Sequence, residues 1–151
     1  MITLLNNQDI FTHNSNVIIQ QCNCFCTMGS GIAYEIRKRY PEAYEADCKT
    51  IKGDKNKLGK FSWVKAKDGK IIINMYSQYD YGRDYRRTNY EYFANGLERV
   101  TLFMIDNNLK SISIPYKIGC NLGGGSWEII EVMINVAFRD CPFDVFICKK
   151  D

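Results

Sequence analysis

The chain contains a single histidine, His13, and no apolar run approaching the ~18 residues that a membrane-crossing helix needs. Scarce histidine weakens any metal reading, and the cysteines do not repair it. Cys22-x-Cys24-x-Cys26 is not C-x2-C, and Cys48, Cys120, Cys141 and Cys148 supply no second pair at ligand spacing. No metal and no cofactor is therefore expected, and His13, in a polar stretch, reads as a surface residue. Charge of one sign is lacking too: 20 basic against 17 acidic residues leave +3, too little to imply nucleic acid by itself. Met1-Ile2-Thr3-Leu4-Leu5-Asn6 has no basic region ahead of an apolar core and does not read as a signal peptide. These features predict a cytoplasmic protein whose seven cysteines stay reduced and mostly buried, packing as small hydrophobes.

What is present fits one domain over residues 1–151, with 46% hydrophobic and 25% charged residues and no repeat, linker or low-complexity segment. Val17 to Cys22 is β-branched at its start and reads as a central strand. After Gly29-Ser30-Gly31, the positions Ile32, Ile36 and Tyr40 fall at helical spacing, and Pro41 can begin a new helix. Phe61–Ala66 and Lys70–Tyr76 flank Lys67-Asp68-Gly69 as a hairpin. Tyr90, Phe93, Leu97, Val100 and Met104 line one helix face, as do Trp127, Ile130, Ile134 and Phe138. Short strands are expected at Ile2–Leu5, Ser111–Pro115 and Asp144–Cys148. Strands alternating with helices predict an α/β fold: a three-layer α/β/α sandwich with a central mixed, largely parallel sheet.

Two glycine-rich turns each follow a strand and precede a helix: Gly29-Ser30-Gly31, and Asn121-Leu122-Gly123-Gly124-Gly125 with Ser126 as the cap of the next helix. Ligands of open α/β sheets bind outside the carboxyl ends of the strands. Glycine lets the backbone present N–H groups, and a helix N-terminus adds partial positive charge, so such a turn suits phosphate. Two neighbouring turns suit a diphosphate. Neither is a Walker loop or G-x-G-x-x-G.

The stretches QDIFTHNSNVIIQQCNCFCTMGSGIAYEIRKRYPEAY and SIPYKIGCNLGGGSWEIIEVM resemble the two ligand loops of macro domains, an ADP-ribose-binding family, and the similarity covers essentially the whole chain. The resemblance implies the following roles. Asp9 accepts a hydrogen bond from the adenine amino group, with Ile10 beside it. Asn23 holds the distal ribose. Met28, Gly29, Ser30, Gly31 and Ile32 wrap the diphosphate and distal ribose; Ile118, Gly119, Cys120, Asn121, Leu122 and Gly123 close from the other side. De-ADP-ribosylating members with similar loops use a lysine where this chain has Gln78, and some use an aspartate where it has Gly123. An aromatic that often stacks on adenine is replaced by Cys148. A neutral amide cannot form a lysine-type covalent adduct. The loop 79–87 carries Arg83, Arg86 and Arg87, and arginine binds phosphate bidentately. The function expected from this pattern is hydrolysis of ADP-ribose 1″-phosphate, with Asn23 and Arg83 on the substrate and Asp80 or Asp84 orienting water. The alternatives are a non-catalytic binder of ADP-ribose-type nucleotides and a lysine-independent hydrolase acting on ADP-ribosylated protein or DNA. The expected partner is a small ADP-ribose-type ligand, free or carried on a macromolecule, bound by a monomer away from membranes.

Overall fold

The computed structural model describes residues 1–82 and 84–150. Its six strands are β1 (Ile2–Asn6), β2 (Val17–Cys22), β3 (Phe61–Lys65), β4 (Ile71–Tyr76), β5 (Ser111–Pro115) and β6 (Asp144–Lys149). Its four α-helices are α1 (Gly31–Arg39), α2 (Pro41–Cys48), α3 (Tyr90–Asp106) and α4 (Trp127–Phe138). The sheet runs β1-β6-β5-β2-β4-β3; every neighbouring pair is parallel except β3 with β4. The mixed, largely parallel sandwich expected from the alternation is therefore the fold.

Burial explains the order. All six residues of β4 are buried, and so are five of six in β2, as central strands covered on both faces require. Neighbouring residues of β2 serve opposite layers: Val17 and Ile19 join the core with Phe93, Leu97, Ile130 and Ile134 of α3 and α4, whereas Ile18 packs with Ile36 and Ala43 of α1 and α2. The edge strand β3 alternates instead and leaves Trp63 half exposed. Because β1, β2, β4, β5 and β6 run in one direction, their carboxyl ends lie along one edge of the sheet. The glycine turns follow β2 and β5, which are adjacent, so the topology brings the two turns side by side.

Two expectations need correction. Cys26 and Cys48 form a disulfide, Cα–Cα 5.4 Å, so not all thiols are free. The strand ends at Cys22; the chain then turns through a left-handed Cys26 (φ 57°), which brings its sulfur to α2 instead of leaving it on a strand face with Cys22 and Cys24. Ser126 stands at the N-cap of α4 but makes no side-chain cap bond; its N–H donates to the Tyr90 hydroxyl at 2.9 Å. No helix among the described residues is long and apolar enough to cross a membrane.

Candidate ligand-binding site

The first loop is held open by its own polar groups. Asn23 accepts from the Phe25 N–H at 2.8 Å and donates to Thr27 Oγ1 at 2.7 Å. The Tyr44 hydroxyl donates to the Cys26 carbonyl and Arg37 to the Thr27 carbonyl. Met28, also left-handed (φ 39°), tucks its side chain into the interior, and Gly29, Ser30 and Gly31 remain exposed at the start of α1. Ser30 caps no N–H with its side chain, which leaves the first turn of α1 available to an anion.

The second loop folds on itself and onto the segment before α3. The Gly125 N–H donates to the Gly119 carbonyl at 2.8 Å, and the N–H groups of Arg87 and Thr88 both donate to the Gly123 carbonyl at 2.9 Å. Between the two loops lies a cavity of about 860 Å³. Its walls include Asn23, Met28 to Ile32 and Ile118 to Gly123, so every residue assigned to the diphosphate and distal ribose is brought together.

The glycines divide into two kinds. A Cβ on Gly31 (φ +60°) would meet nothing within 4 Å, so this residue faces open space where a ligand can approach. A Cβ on Gly123 would lie 2.3 Å from Thr88 Oγ1, 2.8 Å from the Gly119 carbonyl and 2.9 Å from Gln21 Nε2. Gly123 is thus required by the protein's own packing.

Other assigned residues lie elsewhere. Asp9 and Ile10 follow β1, outside the cavity wall. Asp9 accepts from the Phe11 N–H at 2.9 Å, and Lys150 approaches its other oxygen at 3.4 Å; the Phe11 bond and Lys150 hold its carboxyl below the usual range against the opposing effect of burial. Ile10 is buried with Cys148, whose thiol burial pushes up. Asp80 and Asp84 are turned to Arg87, at 2.7 and 2.5 Å, and Arg86 lies over the Tyr90 ring. None of these four lines the main cavity, although Arg86 borders a smaller neighbouring one with Tyr85. Arg83 lies outside the described residues. His13 is half-buried, its Nδ1 2.6 Å from Ser15 Oγ, and serves the loop leading into β2.

Gln78 does stand at the cavity, as the resemblance places it. Its amide oxygen accepts from Gln21 at 2.7 Å and its nitrogen donates to the Asp80 carbonyl at 2.8 Å. Asn23 and Gln78 each retain one amide hydrogen, since a primary amide has two. The wall also contains residues that the sequence reading passed over: Gln21, Tyr81 and the buried acid Asp47. Burial raises the Asp47 carboxyl, opposed by the Tyr76 hydroxyl donating at 2.6 Å and by the charge of Lys57. For Gln21 the available signal was the pair Gln20-Gln21 near the end of an otherwise apolar strand; Tyr81 and Asp47 gave none.

The comparisons agree with this geometry. The chain is 33% identical over 132 residues to a 17.5 kDa protein of the tk-vs intergenic region of Enterobacteria phage T4, covering 83% of this chain and 81% of that one. It is 28% identical over 137 residues to the DNA ADP-ribosyl glycohydrolase of Mycobacterium tuberculosis, spanning 89% of this chain but only 38% of that protein's length. Among solved structures, the macrodomain of Mycobacterium tuberculosis DarG superposes with a TM-score of 0.86 at 26% identity, covering 100% of this chain and 99% of that one. With residues 19–134 matching the Macro domain model, the chain belongs to the macro domain family.

Proposed function

We propose that the protein binds ADP-ribose between its two glycine loops and hydrolyses the bond from the distal ribose to a macromolecule, without a lysine nucleophile. The observation that carries this reading is the cavity of about 860 Å³ that has Asn23 and Gln78 in its wall and the open face of Gly31 at its entrance. The Mycobacterium tuberculosis relative, named a DNA ADP-ribosyl glycohydrolase, supports the reaction class. Asn23 and Gln78 are neutral and form no lysine-type adduct, and Lys117, which also lines the wall, has its ammonium 5.7 Å from the Tyr116 ring, so we assign the attack at the anomeric carbon to water. Water forms the new C–O bond, the bond to the acceptor breaks, and the acceptor leaves with a proton. Asn23 and Gln78, each with an amide hydrogen to spare, orient the ribose hydroxyls for that step.

Hydrolysis of ADP-ribose 1″-phosphate is the second reading, favoured by arginines flanking the site. It draws less from this geometry, because Arg87 is committed to two aspartates and Arg86 to Tyr90, both away from the main cavity. One assay separates the readings. Purified protein is given ADP-ribosylated oligonucleotide, ADP-ribosylated protein and ADP-ribose 1″-phosphate in parallel, and released ADP-ribose and phosphate are measured. Release of ADP-ribose from a macromolecule is expected. Phosphate release alone establishes the second reading, and tight binding of ADP-ribose without turnover identifies a binder.

A further inference from the structure

The second ligand loop has no disulfide and no helix of its own to hold it, yet it forms one wall of the cavity. Besides its backbone bonds, a chain of side-chain hydrogen bonds centred on Gln21 holds it. The Gln21 amide nitrogen donates to Gln78 Oε1 at 2.7 Å and to Thr88 Oγ1 at 2.9 Å, and its oxygen accepts from Ser77 Oγ at 2.6 Å. Thr88 passes the chain on: its hydroxyl donates to the Gly119 carbonyl at 2.7 Å, and its backbone N–H donates to the Gly123 carbonyl. Both amide hydrogens of Gln21 and the hydroxyl hydrogen of Thr88 are spent inside the protein. Thr88 is 1% exposed and lies outside the cavity wall.

The geometry points to Gln21 and Thr88 as positioning residues that lock the second glycine loop to the Gln78 amide, so that both reach the ligand in one fixed arrangement. Thr88 and Gly123 are a matched pair. With the threonine in place, no side chain fits at 123, because its Cβ would overlap Thr88 Oγ1. The acid that some relatives are implied to use there is therefore excluded in this chain, and the buried hydroxyl takes up the space. Without the Thr88 hydroxyl the Gly119 carbonyl keeps only the Gly125 N–H, a bond within the loop itself, so the loop loses one tie to the segment before α3 and its registration weakens before the fold is lost.

The inference rests on the proposed ligand, so the test has one arm that needs no ligand. Hydrogen–deuterium exchange of the free protein is compared for the wild type, Thr88→Val, Thr88→Ser and Gln21→Met. Exchange across residues 119–125 should rise about tenfold in Thr88→Val and Gln21→Met, the equivalent of one lost hydrogen bond, and return to wild type in Thr88→Ser. In the second arm, ADP-ribose affinity should fall by about tenfold in the same two variants and recover in Thr88→Ser. Unchanged exchange at 119–125, or a rise spread evenly over β5 and α3, overturns the positioning role even where affinity falls. If the wild type itself binds no ADP-ribose, the proposed function fails, while the exchange arm still decides whether Gln21 and Thr88 hold the loop.

Discussion

Gly31 and Gly123 look alike as letters and do different work, which makes opposite predictions for two substitutions. Gly31→Glu puts bulk and negative charge at an open helix N-terminus; its left-handed backbone costs a side chain only about 1–2 kcal/mol, so the fold should survive and ADP-ribose binding should disappear by calorimetry. Gly123→Ala overlaps Thr88, the Gly119 carbonyl and Gln21, and should lower stability by about 1–3 kcal/mol in a chemical melt before any question of ligand arises. The sequence located both glycines at a site, because strand–glycine–helix is a local pattern. It could not separate them, because what distinguishes Gly123 is Thr88, which the fold brings from another loop. Asp47 was illegible for the same reason: within Pro41-Glu42-Ala43-Tyr44-Glu45-Ala46-Asp47 it looks like one more solvent-facing acid, and only the packing of α2 buries it. Its folded pKa is raised above the ordinary 3.8, so the fold holds this proton more tightly than the unfolded chain. That stabilisation is fully present below the unfolded pKa and is lost as pH rises through the folded value. Asp47→Asn keeps an acceptor for Tyr76, so the variant should gain thermal midpoint relative to wild type at pH 7 and lose that advantage near pH 3. A variant that loses more at pH 7 would show that Lys57 makes the charge favourable.

The elements were mostly legible, for reasons that differ among them. The β-branched runs of β2 and β4, the Asp68-Gly69 turn between β3 and β4, and the apolar faces of α3 and α4 are all statements about neighbours in sequence. Sheet order and the Cys26–Cys48 bridge are statements about neighbours in space. Cys48 closes an ordinary helical pattern, and nothing local pairs it with a cysteine in a loop. The bridge joins that loop, two residues before Met28, to the end of α2, where Cys48 is exposed and within reach of a small dithiol. With a sequence separation of 22, closing this ring restricts the unfolded chain by about 3 kcal/mol in the chain-entropy model. Treatment with dithiothreitol should therefore lower the thermal midpoint, and because residues 28–32 hang from the bridged segment, it should weaken ADP-ribose as well. Cys48→Ser should behave like the reduced wild type with or without dithiol. An oxidised and a reduced sample that melt and bind identically would show that the loop is held by Asn23, Tyr44 and Arg37 alone.

For the whole molecule, the consequence of the topology is that one edge of one sheet carries the cavity proposed to hold the diphosphate and distal ribose. The first loop leaves β2, the Gln78 segment leaves β4 and the second loop leaves β5, three adjacent strands of a common core. A ligand bridging the two loops therefore ties both halves of the cavity to that core, and its binding energy appears as stability of the entire fold. At a free concentration one hundred times Kd, ADP-ribose should add about 2.7 kcal/mol. For a chain of 151 residues that corresponds to a rise of roughly 5–10 °C in thermal midpoint. AMP lacks the second phosphate and the distal ribose, so it leaves one loop or the other unengaged, and at the same concentration it should shift the midpoint much less. Asn23→Ala removes the side chain proposed to meet the distal ribose, together with its bonds to Phe25 and Thr27 in the first loop, and should shrink the ADP-ribose shift more than the small AMP shift. Melts of wild type and variant with each nucleotide give four numbers to compare with this pattern. Equal shifts for AMP and ADP-ribose would place recognition in the adenine half alone, near Asp9 and Ile10, and would remove the two-loop cavity from the account of binding.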